Sequence, residues 1–79
     1  MIREVEVDEL SWIRNPRAEE MVEAKVRYQM RPAACTIEPT TAGVKVTFAE
    51  SQKPTAPGQV AAFYAGDELL GGGSVVSAE

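Results

Sequence analysis

Apolar and polar residues alternate along much of this chain with a period of two, the spacing that sends successive side chains to opposite faces of a β-strand. The longest alternation is Val22 to Met30, with Val22, Ala24, Val26, Tyr28 and Met30 on one face and Glu23, Lys25, Arg27 and Gln29 on the other. It recurs at Ile2 to Asp8 around Val5 and Val7, and again at Val44, Val46 and Phe48, which Lys45 and Thr47 separate. Ala33 to Glu38 and Val60 to Tyr64 are short runs bounded by turn residues, and Val60 to Tyr64 is too short for an independent helix. A last run starts at Leu69-Leu70, breaks at Gly71-Gly72-Gly73 and resumes at Val75-Val76, which predicts one bent return strand. Three glycines inside a strand point to a sharp corner or bulge, where a Cβ would collide with a neighbouring strand.

The punctuation between these runs is strong. Asn15-Pro16 breaks the chain, and since Asn caps helices and Pro suits the first helical position, Pro16 to Glu20 is allowed one turn of helix at most. Arg31-Pro32 ends the second strand, because Pro cannot donate to a ladder. Pro39 to Gly43 is a turn cluster with its tip at Ala42-Gly43, Ser51 to Gly58 is a loop, and Ala65-Gly66-Asp67 reverses the chain. Six short strands with turns every 8 to 12 residues or so predict an all-β fold, a small six-stranded antiparallel barrel. Residues 1–20 are expected to be a lead-in strand and linker from a preceding domain, and residues 21–79 the barrel domain.

With 79 residues there is room for one small core, of the size that hides about 60% of the unfolded surface. Apolar content of 44% and charged content of 25% suit a soluble globular chain, and the longest apolar run, Val60 to Ala65, is far short of a membrane span. The N-terminal residues lack the basic start and apolar core of a secretion signal, so the cytoplasm is the expected location. One cysteine builds no internal disulfide, and with no histidine no metal is implied. Residues 1–23 carry three basic and seven acidic groups, whereas residues 24–79 carry five of each. Phosphate binding draws on clustered Lys and Arg, so a chain of net charge −4 is not built to hold RNA strongly by charge alone.

Few residues offer chemistry. Gly71-Gly72-Gly73-Ser74 lacks the Gly-Lys-Ser/Thr and helix of a phosphate loop. Cys35 has no histidine to make it a thiolate and reads as a buried strand thiol. Glu19, Glu20, Glu23, Asp67 and Glu68 sit in polar or turn contexts and read as solvated surface. Trp12 reads as a core or interface anchor, and Gln59 as a residue that ties down its loop. Phe63 and Tyr64 point to opposite faces, so one of them enters the core. Lys25 and Arg27 share a strand face, and Arg31 at the strand end extends a positive stripe bordered by Tyr28 or Gln29; these three are the candidate RNA contacts. No catalytic, cofactor-binding or metal-binding residue is assigned.

The string Pro57-Gly58-Gln59, Phe63-Tyr64, Gly66-Asp67 and Leu70-Gly71-Gly72-Gly73 resembles the end of the tRNA-specific 2-thiouridylases, enzymes that thiolate the wobble uridine of certain tRNAs. Ser11-Trp12-Ile13, Val26-Arg27-Tyr28 and Val44 to Phe48 fall in the order and approximate spacing of that family's carboxy-terminal barrel. The resemblance implies a barrel like the second domain of translation elongation factors. It further implies a parent enzyme that uses ATP to adenylate the uridine and receives sulfur from a sulfur-donor protein. This chain would be its non-catalytic, cofactor-free barrel, helping to bind and position tRNA. The family's pyrophosphatase loop and its two catalytic cysteines belong to earlier regions and are not carried onto this chain. The alternative reading of the same residues is a free-standing barrel that binds protein through Trp12 or Phe63/Tyr64.

Overall fold

A computed structural model describes residues 1–79 and contains six strands and no helix: β1 (Ile2–Trp12), β2 (Val22–Lys25), β3 (Ala33–Pro39), β4 (Gly43–Gln52), β5 (Val60–Ala65) and β6 (Glu68–Ala78). They form a closed barrel in the order β1-β4-β3-β2-β5-β6, and every neighbouring pair is antiparallel. Closure leaves no strand edge open to a second chain. The all-β, six-stranded antiparallel barrel expected from the alternation is therefore the observed fold.

Inward positions of every strand meet in one core. Val5 and Val7 of β1, Ala24 of β2, Val46 and Phe48 of β4, Ala61 and Phe63 of β5 and Leu70 and Val75 of β6 are essentially buried, and no polar or charged side chain is buried with them. Of the aromatic pair on β5, Phe63 is the core residue and Tyr64 faces outward. Trp12 stacks on Phe63 with ring centroids 5.3 Å apart and planes inclined by 29°. An aromatic pair of this kind adds about 0.5–1.5 kcal/mol beyond the area it buries.

The glycines of β6 make that stack possible. Gly71 pairs with Trp12 on one side and Phe63 on the other, so two bulky rings flank a residue with no side chain. A Cβ at Gly71 would overlap the Ser11 carbonyl oxygen and lie 2.9 Å from both Cα and Cε3 of Trp12. At Gly72 it would overlap the carbonyl oxygen of Ala61 on the opposite neighbour. The predicted irregularity is present too: Phe63 pairs with Gly71 but Tyr64 with Leu69, leaving Leu70 as an extra residue on β6. A second bulge lies on β1, where Asp8 pairs with Ser74 and Ser11 with Gly72, and Glu9 takes a φ of 50°. One extra residue there bends the strand, as bulges do.

Turn chemistry follows the residues. Gly58 follows Pro57 with a φ of 93°, and the Gln59 amide donates to the Ala56 carbonyl at 3.2 Å, the pattern of a type II turn. Gly66, the first of two loop residues between Ala65 and Glu68, has a φ of 61°, as a type II′ hairpin requires.

Three expectations are corrected. β1 is a stave between β4 and β6, so the barrel begins at Ile2, and the division into a lead-in at 1–20 and a barrel at 21–79 cuts through it. Local alternation reveals a strand but not its partners. The second strand ends at Lys25 and not at Met30, because residues 27–29 turn and Met30 folds back into the core, where its sulfur accepts from the Val26 amide at 3.5 Å. Thr55 Oγ1 donates to the Val26 carbonyl oxygen at 2.6 Å, satisfying a group that a longer strand would have paired. Finally, β1 runs on to Trp12 and β4 to Gln52, while residues 16–20 form no helix.

Gly71→Ala is expected to cost about 3 kcal/mol or more, since only separation of the strands relieves an overlap with backbone. Gly66→Ala, with open space around its Cβ, should lose only the left-handed penalty of about 1–2 kcal/mol. Urea unfolding of the two variants checks the order, and equal losses would remove close approach as the reason for Gly71.

Candidate functional site

The β2–β5 pairing places Glu23 opposite Tyr64 and Lys25 opposite Ala62, bringing the basic face of one strand against the outer face of another that lies far along the chain. Between them is a concavity of about 340 Å³ lined by Lys25, Arg27, Tyr28, Gln59, Val60, Ala62 and Tyr64. Lys25 Nζ sits 5.8 Å from the centroid of the Tyr28 ring, within reach of a cation–π attraction. Tyr28 is 84% exposed and Val60 71% exposed, an unusual pair of apolar surfaces to leave beside two cations. The Nε of Arg27 is buried and has no hydrogen-bond partner within the protein. A buried donor left unmatched costs roughly 1–3 kcal/mol.

Of the three sequence-derived candidates, Lys25 and Arg27 are brought together on this concavity. Arg31 is not: the turn at residues 27–29 carries it away from the strand face, to an exposed position ahead of β3. The predicted stripe is thus a pair of cations joined by aromatic and apolar surface. Tyr64, Val60 and Ala62 belong to the same site, and Gln59 contributes to its wall as well as to the adjoining turn. Periodicity along β2 could identify the cations, but only the crossover pairing of β2 with β5 identifies what stands beside them.

A second hollow, about 600 Å³, lies under the segment that follows β1 and is lined by Leu10, Trp12, Val22, Cys35, Ile37 and residues of 15–20. Its single thiol is half-buried, and Cys35 Sγ donates to the Val22 carbonyl oxygen at 3.7 Å. Burial, with the nearby Glu23 carboxylate, pushes the thiol pKa up to about 12. The thiol therefore stays protonated, the reverse of what a nucleophile requires.

That segment is held by Arg14. Its guanidinium takes both carboxylate oxygens of Glu20, at 3.0 and 2.9 Å, and both of Glu68 on β6, at 2.9 and 3.2 Å. Glu20 also accepts the Arg17 amide at 3.0 Å. Glu20 and Glu68, read from the sequence as solvated surface, are thus engaged by one cation that stands far from Glu68 along the chain. The hydrogen bonds from Arg14 lead the causes that draw the Glu20 pKa down to about 2 and lower that of Glu68, while the two carboxylates raise that of Arg14.

Known proteins resemble this chain over most of its length. The family model described as the aminomethyltransferase beta-barrel domain matches residues 2–75. The tRNA-specific 2-thiouridylase MnmA of Chlorobium phaeobacteroides is 43% identical over 76 residues, covering 92% of this chain and 21% of that protein. The protein of the same name from Chlamydia pneumoniae is 41% identical over 75 residues, covering 94% of this chain and 21% of its own length. That of Heliobacterium modesticaldum is 42% identical over 78 residues, with 94% and 20% covered. The chain spans about a fifth of the length of the curated relatives it matches.

Two outcomes follow from the titrations. The folded pKa of Glu20 lies below the ordinary carboxylate value, so its contribution to stability is complete above about pH 4.5 and is lost as the pH falls through about 2. Glu20→Gln should lower stability at pH 7 and flatten its decline between about pH 5 and 2; an unchanged slope in acid unfolding would show that the Arg14 clamp contributes nothing. At pH 8 a thiol reagent should label native Cys35 roughly a thousandfold more slowly than the unfolded chain, in line with its thiolate fraction. Equal rates would place the thiol in solvent.

Proposed function

The chain belongs to the aminomethyltransferase beta-barrel domain family, and on that footing we propose that it is the non-catalytic, carboxy-terminal barrel of an ATP-dependent tRNA-uridine 2-sulfurtransferase. The parent protein thiolates the wobble uridine in the cytoplasm, and the barrel helps to bind and position the tRNA. Support for the parent activity comes from the relatives, which carry the name tRNA-specific 2-thiouridylase. Support for the barrel's own part comes from one observation, the meeting of Lys25 and Arg27 with Tyr28 and Tyr64 on a single concave surface. ATP and the sulfur-donor protein are partners of the remainder of the parent, and no residue here is assigned to either.

The chemistry of the Cys35 hollow is consistent with a binding role, since its thiol is held protonated. A barrel without a nucleophile still contributes to a reaction by holding a large substrate in register, since orientation alone supplies several kcal/mol in well-placed systems. Phosphate contacts by two cations fix such a register without reading sequence. Arg31, exposed and apart from the concavity, is left to a peripheral contact with the same backbone.

In the full-length parent, replacing Lys25 and Arg27 together by Gln is expected to weaken tRNA binding about tenfold at low salt. It should also reduce the salt slope of log K by about 1 for each cation removed. Arg31→Gln should have the smaller effect. Filter binding or fluorescence anisotropy across a salt series checks this, and an unchanged affinity and slope in the double variant would exclude the concavity as a tRNA contact.

A further inference from the structure

We infer that the β2–β5 concavity accepts one unstacked nucleotide of an RNA strand, its base against the tyrosines and its phosphate at Lys25 and Arg27. The inference rests on the tRNA-binding reading and narrows it from the nucleic-acid backbone to a single-stranded residue. Three features of the surface carry it. First, the cations number two and do not continue as a row, because the turn at 27–29 removes Arg31 from the face. A duplex-tracking groove needs more positive charge than this, and binding that falls on few phosphates must gain its affinity elsewhere.

Second, the surface beside the cations is aromatic and apolar. Tyr64 and Ala62 project from a strand, and Tyr28 and Val60 stand exposed around them. Aromatic rings on an outer strand face are what unpaired bases stack upon, and a paired base has no free face to offer. Third, the site has polarity. Glu23, directly across from Tyr64, puts a carboxylate at one end, and Lys25 and Arg27 lie toward the other. A phosphate is repelled from the tyrosine end and drawn to the cationic end, which sets one direction for the strand. The volume, about 340 Å³, lies at the small end of the range for small-molecule pockets and suits a single nucleotide.

The test is equilibrium binding of a fluorescein-labelled single-stranded RNA hexamer, and of an RNA hairpin with a fully paired stem, to the 79-residue chain at 50 mM salt. The hexamer is expected to bind at least tenfold more tightly than the hairpin stem. Tyr28→Leu and Tyr64→Leu should each weaken the hexamer about five- to a hundredfold, the range measured for loss of one base–aromatic stack, while Tyr→Phe at either position should leave affinity near wild type. Tyr28 is exposed enough that its replacement leaves the fold intact, which keeps the test valid if the Tyr64 variant misfolds. If the hairpin binds as tightly as the hexamer, or both leucine variants bind as the wild type does, while Lys25→Gln/Arg27→Gln still weakens binding, the nucleotide site is overturned and the tRNA-contact reading survives. If the wild-type chain binds neither RNA, the nucleotide site is overturned, and the double variant of the full-length parent decides the tRNA-contact reading.

Discussion

The close approach of β1, β6 and β5 at Gly71-Gly72 is the constraint on which the rest of the barrel depends. A six-stranded barrel of this size has to bend sharply to close, and here the bend is concentrated where Trp12 and Phe63 stack across a strand that has no side chains to separate them. Glycine in a strand ordinarily weakens it. In this position the loss is offset by the aromatic contact it admits and by the core that closure completes, with Phe63 and Leu70 fully buried. The bulges at Glu9 and Leu70 serve the same end, one turning β1 and the other keeping the inward set of β6 in phase.

Because the core is wholly apolar and every strand has two neighbours, function is confined to the outer surface and the strand connections. The Arg14 clamp illustrates the division. It ties the segment after β1 to β6 through two carboxylates, one partly buried and one exposed, and its value falls with salt. It shapes the hollow around Cys35 without making that thiol reactive. The β2–β5 face is different in kind, because its cations form no ion pair and are met instead by aromatic surface, Lys25 lying over the Tyr28 ring.

On the proposed reading, that face would also let an acidic chain contribute to tRNA binding. Two cations set among tyrosines ask little of net charge, since stacking contributes where electrostatics does not. The acidic groups crowded into residues 1–23 would then discourage indiscriminate phosphate binding elsewhere on the barrel.

The sequence by itself determined that the chain is all-β, that it has six strands, and where most of its turns lie, because a period of two and the φ demands of Pro and Gly are local properties. It also marked Gly71-Gly72-Gly73 as a point of close approach and Lys25 and Arg27 as neighbours on one face. Only the tertiary structure decided which strands meet. That β1 is a stave of the barrel follows from its pairing with β4 and β6, and its own alternation would read the same outside a barrel. Where β2 stops was likewise decided by packing, since the core admits Met30 only if the backbone turns at 27–29, and that turn separates Arg31 from its expected companions. The union of Lys25 with Tyr64, and of Arg14 with Glu68, joins residues about forty and fifty positions apart. Periodicity carries no information over such distances, because which non-local surfaces come together is set by how the whole barrel closes.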